Sequence, residues 1–430
     1  MIKTINPLLS IILLLTLIGC DDKITDSGVE SGTTLVQITL QLPDDFPADA
    51  TVGHEQYILY NISNGRTSEF GRGAEIRVTP GLYDIDYTAT VTVAGQASST
   101  LRATGRSIQI AGETATLNLK AYNNIESNDL IIAEIFFAGT LHPSGNQYYG
   151  DDYIKLYNNT DHVIYADGLT LFESKFTTTQ KYDYTPDIMS QAVTVHALYT
   201  IPGNGSEHPV QPGEYLLLAD TGIDHRQANS NSFDLSHADF EWYDQSSSPS
   251  NMDIDSPTVP NLDKWYCYTL SLWILHNRGF KAYGIARIPV DRDTYLNDFK
   301  YTYTYTLTTA AGDFPMSGDA YRLPNEWVVD VVNCSVQAEY AWNVTAPSLD
   351  CGWSACGTID KDKTRYFHSV RRKMLRLNDS GNPIFKDTNN STADFNRDCI
   401  PSEIELQGTA TDAQGTPCTT RTYDGITPLQ

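Results

Sequence analysis

Cysteine is the side chain here best suited to covalent chemistry, and its seven copies fall into two groups. Cys20 stands alone at the end of an apolar run, while Cys267, Cys334, Cys351, Cys356, Cys399 and Cys418 all lie in the second half. An even set confined to one half of an exported chain predicts disulfides, with a connectivity that spacing leaves open. Zinc is the competing use of such thiols. No Cys-x-x-Cys pair is present, and Cys351 and Cys356 stand five apart with Trp353 between them, so disulfides are the preferred reading.

Carboxylates come next. In HADFEWYD (237–244), Asp239, Glu241 and Asp244 alternate around Phe240 and Trp242. Paired carboxylates serve glycoside hydrolysis when about 5 or 9 Å apart, a separation that spacing cannot show; an exposed polar strand or turn is the plainer explanation. DTNNSTAD (387–394) gathers Asp387, Asn389, Asn390 and Asp394, hard oxygen donors of the kind calcium accepts. It lacks the spacing of a calcium loop and the glycine of its sharp turn. The same residues cap their own backbone in Asx-turns, and that reading is preferred. No cofactor is expected, with calcium at this segment the weak exception.

Aromatic residues cluster in DKWYCYTLSLW (263–273) and in YTYTYTL, where Tyr301, Tyr303 and Tyr305 share one strand face. Such a ladder can stack on sugar rings, yet it also packs well across strands, and packing is the stronger reading. No Gly-x-Ser-x-Gly elbow, His-Glu-x-x-His pair, glycine-rich phosphate loop or Cys/His nucleophile arrangement occurs. The nine histidines are scattered, His162 and His225 in turn-like contexts and His276 after an apolar stretch. A non-catalytic protein is expected.

The elements that would position these residues begin after an export signal. Lys3 supplies a positive start, and Leu8 to Leu17 form an apolar run broken only by Ser10 and Thr16. That is too short for a membrane-spanning helix, which needs about 20 apolar residues. Gly19 immediately before Cys20 resembles the bacterial lipobox, whose thiol is acylated before cleavage. Residues 1–19 are therefore expected to be a signal peptide and Cys20 a lipid anchor, held by about 0.8 kcal/mol per buried methylene. The formal net charge of −24 excludes nucleic acid and anionic head groups as partners. Charged residues make up only 19% while tyrosine reaches 26 copies, a mixture that suits a polar all-β exterior.

Residues 20–33 are polar and acidic, a flexible tether. In 34–120, Val36, Ile38, Leu40 and Leu42 alternate with polar neighbours, Asn64-Gly65 marks a turn, and Tyr83, Ile85, Tyr87, Ala89 and Val91 alternate again. With TPGLYDIDYTA and IQIAGETATLNLKA, this stretch resembles the carboxypeptidase-regulatory-like and prealbumin-like sandwiches, modules that usually act as spacers. AYNNIESND (121–129) reads as a linker, and 129–430 as a second domain. Strands are predicted in 129–140, 153–157, 212–220, on both sides of a turn in 270–289, and in 325–334 and 369–375. Glu134-Ile135, Tyr153 to Asn158, Glu214 to Leu217, Asn277 to Gly279 and Ser369 to Arg372 resemble the lamin-tail domain, an immunoglobulin-like sandwich. Lys155 departs from that family, which usually has Glu there. Residues 174–211, 221–264 and 291–324 are read as insertions. The expected fold class is all-β, two β-sandwiches in series.

HADFEWYD, LPNEWVVDVVN (323–333), SVRRK (369–373) and DTNNSTADF (387–395) together resemble an uncharacterised, domain-of-unknown-function family of Bacteroidota outer-membrane lipoproteins. The resemblance implies an outer-membrane location, often beside TonB-dependent transporters, and implies no reaction. The expectation is a lipid-anchored binding or accessory component that contacts a transporter, a glycan or another nutrient. Its contact residues are expected on insertion loops carrying Asp239, Glu241, Trp242, Asp244 and Trp265. A surface polysaccharide hydrolase and a structural adhesin are the alternatives. Acidic residues 21 and 22 resemble the surface-export signals of Bacteroidota without reproducing their usual order, and exposure at the cell surface is the expectation.

Overall fold

The structure, a computed structural model, describes residues 32–408 apart from 44–45, 47–49, 93–98, 124–127, 247, 249–251, 270, 362 and 379. The signal 1–19, Cys20, nearly all of the tether and Cys418 lie outside the described residues. Among the described residues the chain is built almost wholly from strands, and no helix is long and apolar enough to cross a membrane.

Strands β1 (Thr34–Gln41), β2 (Thr51–Asn61), β3 (Thr67–Gly71), β4 (Ile76–Val78), β5 (Gly81–Thr92), β6 (Ser99–Ile110) and β7 (Thr114–Asn123) pair in the order β3-β2-β5-β6-β7-β1-β4. Period-2 alternation decides their faces. In β5, Tyr83, Ile85, Tyr87, Ala89 and Val91 are buried while the residues between them reach solvent. Strand β7 turns a corner: Thr114 to Lys120 pair in parallel with β1, and Ala121 to Asn123 pair with β6. Leu59, Leu101, Leu119 and Val36 thereby meet the β5 residues in one core. Full burial of each such aliphatic side chain is worth about 1.5–3 kcal/mol.

The remaining strands are β8 (Ile131–Phe136), β9 (Tyr153–Tyr157), β10 (Ile164–Tyr165), β11 (Leu169–Ser174), β12 (Ala192–Thr200), β13 (Pro209–Val210), β14 (Tyr215–Ala219), β15 (Phe240–Glu241) and β16 (Asp263–Cys267). They continue with β17 (Ala282–Arg287), β18 (Lys300–Thr309), β19 (Gly312–Pro324), β20 (Val328–Ser335), β21 (Ser354–Ala355), β22 (Ser369–Arg372), β23 (Met374–Leu377), β24 (Pro383–Phe385) and β25 (Phe395–Cys399). Three short helices, α1 (Arg292–Asp298), α2 (Ser391–Asp394) and α3 (Ser402–Gln407), punctuate them. One sheet runs β15-β14-β9-β8-β22-β25, the other β18-β19-β12-β11-β17-β20-β21, with β16 also paired to β12.

The two sheets face each other. Ile132, Ile154, Leu156, Leu216, Leu218 and Phe240 of the first meet Leu169, Leu171, Tyr199, Tyr283, Ile285 and Val332 of the second in a common core. Their outer faces are covered as well, by Phe233, Leu235 and Ile404 on one side and by Tyr295, Val344 and Leu349 on the other. Burial on both faces accounts for the near-continuous apolar runs in β8 and β11.

Two expectations about elements need correction. The stretch 174–211 is no insertion, because it contains β12, an interior strand paired to β11, β16 and β19. Among the described residues of 270–289 only β17 forms, and 271–281 follow an irregular path. The turn between is held by Gly279, whose N–H bonds His276 O at 2.5 Å. Its φ is +59°, and a Cβ there would lie 2.6 Å from the Phe137 ring, so only glycine fits.

Lys155, where the resemblance led one to expect Glu, is buried and reaches Glu403 at 2.5 Å and the Ser402 hydroxyl at 2.8 Å. Burial would raise Glu403, but the His237 hydrogen bond and the Lys155 charge outweigh it and hold the carboxyl at about 2. This pair fastens α3 to β9.

Candidate functional site

The tyrosines of β18 stand beside a surface cavity, with Tyr301 in its wall. Tyr301, Tyr303 and Tyr305 follow one another along the strand with ring centroids 6.2 and 6.3 Å apart. A loop after β11 is strapped across them, since Thr185 and Thr304 exchange two backbone hydrogen bonds of 2.9 Å. That strap brings Tyr184 over the ladder, 5.7 Å from Tyr303 and 5.4 Å from Tyr305, and stacks it on Phe176 at 3.8 Å. Tyr182 adds a further ring 4.6 Å from Tyr305.

Trp342 closes the other side. Its indole N–H donates to Thr177 O at 2.9 Å and to Gln180 O at 3.0 Å, which fixes the ring plane. The ring lies 6.3 Å from Tyr184 in a stacked orientation, with Lys181 Nζ 5.7 Å from its centroid. The resulting cavity of about 430 Å³ is lined by Tyr182, Tyr184, Tyr301 and Trp342 together with Lys181, Asp183, Asp187 and Asn343. A second depression of about 310 Å³ shares Asp183 and continues past Tyr305 to Thr306 and Ser317. Burial raises the Tyr184 and Tyr301 hydroxyls, the latter to about 12, so both stay protonated at neutral pH. Tyr301 meets the Thr194 hydroxyl at 2.5 Å, which holds that ring in place. Aromatic walls with a few fixed polar groups, at this volume, suit a small organic ligand.

The residues singled out in the sequence fare differently. Trp242, expected on a surface loop, is fully buried in the inter-sheet core, 5.2 Å from Trp273. HADFEWYD is part of the sheet: β15 runs parallel to β14, which turns Phe240 and Trp242 inward. Glu241 is buried, accepts the N–H groups of Gly222 and Ser256 at 2.6 Å each, and is pushed up to about 7 by burial. Asp244 is buried and takes the Tyr199 hydroxyl and Lys264 Nζ, the latter at 2.6 Å. Asp239 accepts the Leu217 N–H at 2.7 Å. Trp265 is half-buried against Tyr295, on the outer side of the other sheet. These five form no common surface; large aromatic area is buried where a core is available.

The weak calcium segment also resolves into structure. Asp394 accepts the N–H groups of Thr388 and Asn390 and the Thr388 hydroxyl. Asn390 caps α2, Asn389 donates to Ser348 O, and Asp387 pairs with Arg372 at 3.0 Å. Arg372 in turn pairs with Asp330 and donates to Ile132 O, tying the two sheets together. Three of the sequence motifs thus meet in one structural network.

The disulfide expectation is corrected for four of its members: Cys267, Cys334, Cys356 and Cys399 are buried thiols. Burial pushes each of these thiols up, and each packs as a small apolar side chain. Cys267 instead meets the Thr269 hydroxyl, at 3.2 Å.

One triad among the described residues has metal-ligand types in reach of one another, Asp167, Glu207 and His208. The Asp167 carboxylate is already taken by the N–H groups of Gly205, Glu207 and His208, at 3.1, 2.9 and 2.9 Å. It closes a loop.

Residues 211–402 match the model of a family described as "Protein of unknown function (DUF4876)". All four motifs from 237 to 395 fall inside that stretch. Among solved structures, the chain is similar to a DUF4876 family protein from Bacteroides thetaiotaomicron VPI-5482, at 18% identity and a TM-score of 0.54. The alignment covers 89% of this chain and 100% of that one, and at this identity the likeness speaks to fold. No curated protein matches.

Proposed function

We propose that the protein is a lipid-anchored binding component of the outer membrane that captures a neutral saccharide, or a ring compound of similar shape, for an uptake system. The aromatic cavity carries this reading. Tyr184, Tyr301 and Trp342 offer flat apolar faces, and Asp183 and Asp187 offer hydrogen-bonding groups that a polyhydroxylated ring needs around its edge. The second depression along Tyr305 suits a ligand longer than one ring. Gly19-Cys20 supports attachment to the membrane through a thioether-linked diacylglyceryl group, and a TonB-dependent transporter is the partner to which captured ligand would pass. In this reading the first unit is a spacer of the prealbumin-like kind, and the second keeps a lamin-tail-like frame with the cavity at one sheet edge.

The reading is tested by calorimetric titration of the full chain with a panel of neutral oligosaccharides. At least one should bind, and Trp342→Ala and Tyr184→Ala should each weaken it about tenfold, or 1.4 kcal/mol, with the melting temperature showing the fold intact. If nothing in the panel binds, or if both variants bind as wild type does, the cavity is not a saccharide site.

A further inference from the structure

Gly139 follows β8 with φ at +68°, and its bare side faces oxygen. A Cβ at this position would lie 3.2 Å from Asp151 Oδ1, 3.2 Å from the Tyr148 carbonyl and 3.3 Å from Asp152 Oδ1. Asp151 and Asp152 are 0% and 4% exposed, so these acids lie inside the protein. Asp151 Oδ2 accepts the Ser232 and Thr140 hydroxyls, leaving its Oδ1 with one long contact, the Thr140 N–H at 3.3 Å. No described group donates to Asp152 Oδ1.

One strand over stands Asp220, 3% exposed, whose N–H bonds Asp152 O at 2.9 Å and whose Oδ2 likewise has no donor. Buried carboxylates without donors or counter-charge are rare, because an ionised oxygen removed from water must be compensated. Burial raises both Asp152 and Asp220 well above the usual carboxylate range; the charges of Asp220 and Asp151 add to it at Asp152, and those of Asp253, Asp151, Asp244 and Glu241 at Asp220.

The chemistry of the place is purely oxygen. His225 is near, but its Nε2–H donates to Thr221 O at 2.8 Å and its Nδ1 accepts the Tyr148 hydroxyl at 2.9 Å. Burial lowers its pKa, which keeps it neutral, with no nitrogen left to ligate. That excludes the imidazole and thiolate sites favoured by zinc and copper. Two carboxylates and a carbonyl suit a hard divalent ion, and calcium tolerates an irregular oxygen shell completed by water, at 2.3–2.6 Å.

We propose that Asp151, Asp152 and the Tyr148 carbonyl bind a calcium ion at the bare face of Gly139, with Asp220 supplying charge from the outer shell. Asp220 is placed outside the inner shell because Asp151, Asp152 and Asp220 do not bring one carboxylate oxygen each within 4.8 Å of one another. The ion would neutralise these acids and fix the 139–152 loop against the end of β14.

The test uses the full chain in detergent, stripped with a chelator and then given calcium or terbium alone. Calcium should raise the melting temperature by several degrees, and terbium should luminesce through nearby aromatic rings and be displaced by calcium. Asp152→Asn should weaken calcium binding at least tenfold, and Asp387→Asn should leave it unchanged. Undiminished binding by Asp152→Asn overturns the site, as does a wild-type chain that shows neither response. Should Asp152→Asn fail to fold, the wild-type chain decides: one calcium retained per chain through gel filtration supports the site, and none overturns it.

Discussion

Asp350 and Asp152 are both buried in the double-sheet unit, and they could hardly be treated more differently. Asp350 accepts five hydrogen bonds, from the backbone and side chain of Asn333, the backbone and hydroxyl of Ser391, and the Gly352 N–H. Asp152 Oδ1 accepts none. The first belongs to the network joining NEWVVDVVN to DTNNSTADF, and both of its oxygens are engaged by protein. The second sits where strand ends and a glycine leave oxygens facing one another. Burial alone therefore does not separate a structural acid from one available to a ligand; the donor inventory does.

The largest effect expected from this contrast is at Asp350. Asp350→Ala should orphan the donors of Asn333 and Ser391 and destabilise the chain by about 3–5 kcal/mol in urea unfolding. A loss below about 1 kcal/mol would mean that the network is ornamental to stability.

A smaller effect, of opposite sign, is expected at Asp152 without calcium. Asp152 faces Asp151 and Asp220, and Asp220 faces Asp253, Asp244 and Glu241, with neutral His225 beside Asp151. Burial raises Asp253 to about 6 and Glu241 to about 7. Groups raised in the folded state stabilise it fully below their unfolded values, near about 4, and that contribution is lost as pH rises through their folded values. Chelated protein should thus lose about 1–2 kcal/mol between about pH 5 and pH 7.5. Glu403 acts in the other direction, its contribution lost only as pH falls toward about 2, outside this window. Asp152→Asn in chelator should flatten the decline; with calcium present, the same variant should be the less stable protein. A decline that persists unchanged in the variant would place its source at other acids.

The contrast also explains what was legible in the sequence. The alternation in β5 is plain because one face meets water, and the apolar run of β8 is plain because neither does. β12 escaped because AVTVHALYT mixes Thr194 and His196 into a buried strand, where His196 is taken up by Glu173 at 2.5 Å. HADFEWYD was misplaced because three acids suggest exposure, while partners elsewhere in the chain, Gly222 and Ser256 for Glu241 and Tyr199 for Asp244, make burial affordable. Of the aromatic cavity, the ladder of β18 could be seen as a face. Trp342 and Tyr184 could not, since their positions depend on contacts such as Thr185 to Thr304, 119 residues apart. Gly139 carries no sequence signal at all; its role depends on three oxygens converging from 148–152.

The most direct test is crystallographic. Crystals of the full chain grown in calcium chloride should give an anomalous difference peak within about 2.6 Å of Asp151 Oδ1, Asp152 Oδ1 and the Tyr148 carbonyl. Ordered density at the Gly139 face without an anomalous signal, or a calcium peak at 387–394 in its place, would contradict the assignment.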